Sequence, residues 1–177
     1  MLAIRIKVLC ILLLVGGNSF AQFAIEKLPG SINTPDAAEG MPVISVDGKT
    51  LYFARSRPSV DGTPVLDIWR SIVDKTGTFS DPELVGGKLA SRFSIAVTSV
   101  APDNNTLYLV GKLRHNTPPD ERVFETHRTK DGVSHPKSIR IRELNLRGEA
   151  TDYSFGPDQR TLIMALDRDS SIGGNDL

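Results

Sequence analysis

The chain has 177 residues, enough for one domain of ordinary size. A hydrophobic share of 40% with 24% charged residues places it among folded rather than disordered chains. Its 21 basic and 21 acidic residues cancel, which excludes the strongly basic field that recruits nucleic acid.

At the N-terminus, Arg5 and Lys7 precede an apolar run from Val8 to Val15, and the small-x-small triplet Ser19-Phe20-Ala21 stands before Gln22. This order predicts a secretory signal peptide over residues 1–21, cleaved between Ala21 and Gln22. The run falls short of the roughly 20 apolar residues that span a bilayer, so the mature chain is expected to carry no transmembrane segment. Cleavage would remove two cations and no anion, leaving 19 basic against 21 acidic residues. It would also remove Cys10, the only cysteine. Cys10 sits inside the apolar run with no small residue just ahead of it, so lipid attachment is not expected. Residues 22–177 are then expected to hold no disulfide, no thiolate metal site and no thiol nucleophile, and to rest on their core alone.

Beyond the leader, the elements read as short strands. "AIEKL" (Ala24 to Leu28) reads as a strand of the type that ends each later unit. "MPVIS" (Met41 to Ser45) and "TLYFA" (Thr50 to Ala54) flank a polar turn, and Leu51 and Phe53 alternate with Tyr52 as strand faces require. "DIWRSIV" (Asp67 to Val73) and "DPELV" (Asp81 to Val85) complete a set of four. With 15 glycines and 11 prolines to punctuate them, no segment shows a helical apolar period over three turns; Ser138 to Glu149 comes nearest and breaks.

The set recurs. "SVDGKTLYFA", "VAPDNNTLYLV" and "FGPDQRTLIMA" align so that Asp47, Asp103 and Asp158 step by 56 and 55 residues. Thr50, Thr106 and Thr161 repeat at the same steps, as do Leu51, Leu107 and Leu162, and Leu28, Leu84 and Ile139. Trp69 and Phe124 are 55 apart. Repeat units of about 23–78, 79–133 and 134–177 follow. Four antiparallel strands at a fixed period predict an all-β fold of β-propeller blades. Three units fall short of the about four to eight blades of a ring, so the sequence predicts an incomplete ring and a piece of a longer protein.

The turn residues weigh the chemistry. In each copy the Asp carboxylate can accept from backbone amides two residues on, with Thr adding a side-chain bond. Asp47, Gly48 and Thr50, Asp103 and Thr106, and Asp158 and Thr161 are therefore expected to be structural turn residues, not catalytic ones. Ser45 to Thr50 fails the spacing of a sialidase-type Asp box by one residue. His115, His127 and His135, 12 and 8 residues apart, match no zinc spacing and are expected to be solvated. No nucleophile elbow, Walker loop or dinucleotide fingerprint occurs, and "SIGGNDL" (Ser171 to Leu177) is a single incomplete calcium nonapeptide that reads better as a loop entering a strand. No catalytic group, metal or cofactor is expected. Lys112 to Arg147 is locally basic but holds one aromatic, Phe124, so it lacks the stacking platform of a nucleic-acid binder.

The three Asp turns, each leading into an apolar strand, resemble the TolB-like (WD-repeat-like) β-propeller repeat. Ile32-Asn33-Thr34, Asp47-Gly48-Lys49 and Asp67-Ile68-Trp69 follow in the order of the propeller region of outer-membrane-protein-A-like bacterial envelope proteins. Val46 stands where the pattern has proline, and Asn104 and Gln159 where it has glycine. The resemblance implies a periplasmic or outer-membrane-associated binding or scaffold module, with an envelope protein, a glycan or peptidoglycan as partner. It also leaves open the N-terminal regulatory propeller of an exported serine peptidase, glycosidase or lyase.

Overall fold

Runs rich in Val, Ile, Thr and aromatic residues, cut by Gly, Pro and Asx turns, fold locally into strands. The computed structural model describes residues 25–59, 62, 64–85, 93–113, 121–130, 132–141, 152–167 and 171–172. The expected leader with its Ala21–Gln22 cleavage site, His115, much of the basic stretch and Gly173 to Leu177 lie outside them. The described chain is all-β, and no helix in it is long and apolar enough to cross a membrane.

The first sheet runs β1 (Glu39–Ile44), β2 (Thr50–Arg57), β3 (Val65–Ile72) and β4 (Glu83–Leu84), each antiparallel to the last. The second follows the same order with β5 (Phe93–Val100), β6 (Thr106–Leu113) and β7 (Glu121–Thr129); β8 (Gly132–Val133) and β9 (Lys137–Ser138) both pair with β7. The third consists of β10 (Asp152–Phe155) and β11 (Leu162–Ala165). None of the described sheets closes on itself. The sheets are offset from the sequence period by one strand: β4, at the head of the second unit, is hydrogen-bonded to β3 of the first.

The strand expected over Ala24 to Leu28 is not seen in its described residues. Ile25 to Leu28 pair with nothing in a ladder, and Ile25 is fully exposed. A closing strand needs the third strand of a preceding sheet beside it; here Leu28 turns inward and packs on Phe53 and its neighbours instead.

Period-two alternation sorts each strand between two faces. Tyr52 and Ile68 of the first sheet share one buried cluster with Phe93, Ile95, Val97, Val100, Leu107, Leu109 and Phe124 of the second. On the opposite face of the first sheet, Leu51 and Phe53 pack with Ile32, Leu28, Trp69 and Phe79. On the second sheet, Tyr108 points away from Leu107 and Leu109 and stacks on Phe155 of the third, ring centroids 3.9 Å apart. The three sheets are thus stacked face to face in chain order.

The first strand of each larger sheet is an edge strand with a bulge. The β1 register shifts between Gly40 and Val43, where Met41 takes φ 51°, and the β5 register shifts between Val97 and Ser99. Thr98, left over at the second bulge, turns its hydroxyl to the Tyr108 carbonyl at 3.3 Å.

Gly111 shows how closely β5 and β6 approach. A Cβ there would lie 2.0 Å from the Ser94 carbonyl oxygen and 2.8 Å from the Ile95 Cα, both backbone atoms, and its φ is +150°. Gly111→Ala must push β5 and β6 apart along the central ladder. The expected loss is about 2 kcal/mol or more, read as a lowered urea midpoint; an unchanged midpoint would contradict the close packing.

Candidate functional site

The three Asp turns are the chemistry-bearing features that the repeat brings to equivalent places. Each reverses the chain in a short loop: the Ser45 amide donates to the Thr50 carbonyl at 2.8 Å, Ala101 to Thr106 at 2.9 Å and Gly156 to Thr161 at 2.9 Å. Each needs one residue in the left-handed region: Gly48 (φ 71°), Asn104 (φ 53°) and Gln159 (φ 56°). Glycine meets this demand without strain, and Asn carries a side chain that tolerates it; Gln is the unusual choice.

In the second and third turns the carboxylate is saturated locally. Asp103 Oδ1 accepts the amides of Asn105 and Thr106, both at 2.8 Å, and Oδ2 accepts the Thr106 hydroxyl at 2.7 Å. Asp158 repeats this with Arg160, Thr161 and the Thr161 hydroxyl. The first turn is built differently. Asp47 accepts the Lys49 amide at 3.1 Å and the Ser45 hydroxyl at 2.7 Å, while the Thr50 amide goes to the Ser45 oxygen at 2.9 Å. Ser45 does part of what Asp103 and Asp158 do alone, because their turns begin with Ala101 and Gly156, which have no hydroxyl.

These bonds fix the electrostatics. The Ser45 hydroxyl and Lys49 amide hold the Asp47 carboxyl below its ordinary range; the Thr106 amide does so for Asp103 and the Arg160 amide for Asp158. A general acid needs the opposite shift, upward toward neutrality. The first two turns touch: the Asp47 amide donates to Asn104 Oδ1 at 3.1 Å, and Arg128 donates to the Asn104 carbonyl at 3.2 Å. Their carboxylates each serve their own turn, and among the described residues no group of three or more His, Cys, Asp or Glu side chains could hold a metal. His127 lies beside the Thr106 hydroxyl at 3.2 Å and Glu125 at 3.2 Å, and His135 is exposed at the edge of Phe93.

One polar network was not foreseen from the sequence. Arg55 lies over the Trp69 ring at 4.5 Å, pairs with Glu39 at 2.9 Å, and donates to the Ser31 and Ile32 carbonyls at 2.8 and 3.0 Å. Glu39 also accepts the Thr34 hydroxyl at 2.6 Å, and Asn33 Nδ2 reaches back to the Leu28 carbonyl at 3.1 Å. Burial works to raise the Glu39 carboxyl, but Thr34 and Arg55 outweigh it and hold it below the ordinary range. The Ile32-Asn33-Thr34 segment is thereby strapped over the outer face of the first sheet. Asp67, buried under the neighbouring Arg57, completes the polar edge. An Arg directly after the β2 apolar run, two residues beyond the Phe53 that pairs with Trp69, was the available signal.

Two outcomes check these assignments. A carboxyl held low in the folded state contributes stability above its unfolded value of 3.8, and that stability is lost as pH falls through the folded value. Melting temperature should drop on acidification between about pH 5 and pH 2, and less steeply in an Asp47→Asn, Asp103→Asn, Asp158→Asn variant. Arg55→Ala removes the ion pair and leaves the half-buried Glu39 with Thr34 alone; it should cost about 1–2 kcal/mol and speed amide exchange over residues 31–34 before that of β2.

No family model, curated protein or solved structure matches this chain.

Proposed function

We propose that the chain is an exported, non-catalytic binding or scaffold module of the bacterial cell envelope, built from consecutive blades of a β-propeller. The observation that carries this reading is a repeated construction: one turn with its left-handed residue at Gly48, Asn104 and Gln159, and one sheet stacked on the next at that same step. A stack of short antiparallel sheets is the way propellers bury both faces of each blade. The turn carboxylates, the most conspicuous acids of the repeat, are engaged with their own backbone amides, which suits a rigid frame rather than an acid–base pair. The leader expected over residues 1–21 and the resemblance of the repeat to that of envelope proteins support a location outside the cytoplasm. Its partner is an envelope protein or a glycan of the peptidoglycan class, held at loops that a rigid frame presents.

The test is a C-terminally tagged chain expressed in a Gram-negative host. The chain should be recovered from the periplasmic or outer-membrane fraction with Gln22 as its first residue. It should either cross-link to an envelope protein or co-sediment with purified peptidoglycan sacculi. Cytoplasmic recovery with residues 1–21 retained would overturn export, and exported protein that shows neither contact would overturn the binding role.

A further inference from the structure

Two of the three Asp turns carry a side chain that their backbone does not require. Gly48, Asn104 and Gln159 occupy one repeat position, and all three lie in the left-handed region. Glycine adopts that region at no steric cost, Asn at a small one and Gln at a larger one. Gly48 shows that the turn closes with no side chain at this place.

Both side chains cross to the preceding sheet. Asn104 Oδ1 accepts the Asp47 amide at 3.1 Å, a bond from the second turn to the first across 57 residues. Gln159 Oε1 accepts the Tyr108 hydroxyl at 3.4 Å, a longer bond from the third turn to β6 across 51 residues. Neither bond serves its own hairpin. Inside those hairpins the amides that follow are already taken by the Asp103 and Asp158 carboxylates.

The surroundings brace each contact. The Arg128 amide donates to the Asn105 carbonyl at 2.9 Å, and its guanidinium donates to the Asn104 carbonyl at 3.2 Å. Strand β7 thereby holds the backbone from which the Asn104 side chain reaches out. At the next junction the Tyr108 ring lies within 11° of parallel to Phe155 of the third sheet, which fixes the direction of its hydroxyl.

We infer that Asn104 and Gln159 are latches that fix the offset between consecutive sheets, and that each accepts a left-handed backbone in order to carry a side chain to the sheet before. Apolar contact between the sheets is non-directional and does not by itself set that offset. A hydrogen bond at the turn is directional and does. The inference stands on these contacts alone and does not depend on where the protein resides or what it binds.

Amide exchange of the purified chain, read residue by residue by NMR saturation transfer, tests the first latch. Asn104→Gly keeps the backbone that Gly48 already shows to be compatible with the turn. It should speed exchange of the Asp47 amide about fivefold and leave the Lys49 amide, bonded to the Asp47 carboxylate, at its wild-type rate. The second latch is read from melting temperatures in a double-mutant cycle. Gln159→Gly should lower the midpoint by about 2–4 °C in the wild-type chain and by less in a Tyr108→Phe background, where its partner hydroxyl is gone. Glycine also loosens the unfolded chain, but that effect is the same in both backgrounds and cancels. An Asp47 amide that keeps its wild-type rate, equal acceleration at Lys49, or a Gln159→Gly shift that is the same in both backgrounds would each overturn the inference.

Discussion

Everything in this fold hangs on the register that the Asp turn imposes. The side-chain period of a strand is two, so a slip of one residue at the turn would exchange the faces of both strands. The left-handed residue at Gly48, Asn104 and Gln159 fixes where each hairpin reverses. From that point Leu51, Leu107 and Leu162 face one way, and Tyr52, Tyr108 and Ile163 the other. The inter-sheet cluster and the Tyr108–Phe155 stack are consequences of that choice. Because the carboxylates hold the turn, the chain uses its most regularly spaced acids to specify geometry.

A second layer of polar bonding secures what the turns cannot. Among the described residues no other sheet lies on the outer face of the first sheet, and an apolar face of that kind needs cover. The segment around Ile32 supplies the cover, and Arg55 holds it by joining a carboxylate, an aromatic face and two backbone carbonyls. Planar guanidinium geometry suits that combination; a lysine has neither the fork nor the stacking plane. Tyr52 shows the cost of near-perfect repetition. Its hydroxyl is buried with no partner among the described residues, whereas Tyr108 reaches Gln159 at 3.4 Å. The matching residue for Tyr52 is Asn104, one methylene shorter and already accepting from the Asp47 amide.

Much of this was legible in the sequence, because turns and alternation are local. The positions of β1, β2 and β3 follow from the Asp–Thr spacing and from Leu51 and Phe53 flanking Tyr52, and the all-β class follows from them. The strap was hidden because it is held by residues far apart in the chain: Arg55 bonds carbonyls 23 and 24 residues away. Ile25 to Leu28 misled for the same reason, since the apolar pattern of a strand does not show whether a partner strand exists beside it. The altered first turn escaped because Ser45 and Thr50 look interchangeable as hydroxyl donors until their distances to Asp47 are known. The order of the sheets along the stack was visible only as a period; which face meets which came from Tyr52 and Tyr108.

The bulges near Met41 and at Thr98 carry a consequence for how such a chain reaches its folded state. Repeats with nearly the same strands invite mispairing, in which a strand of one unit docks on the sheet of another. The strands most open to this are β1 and β5, at the edges of their sheets. At both, the ladder is broken midway, and beside Met41 the next residue is Pro42, which has no amide hydrogen to offer. An incoming strand would find only half a run of matched donors and acceptors. The irregularity in each first strand therefore disfavours pairing between the edge strands of look-alike units.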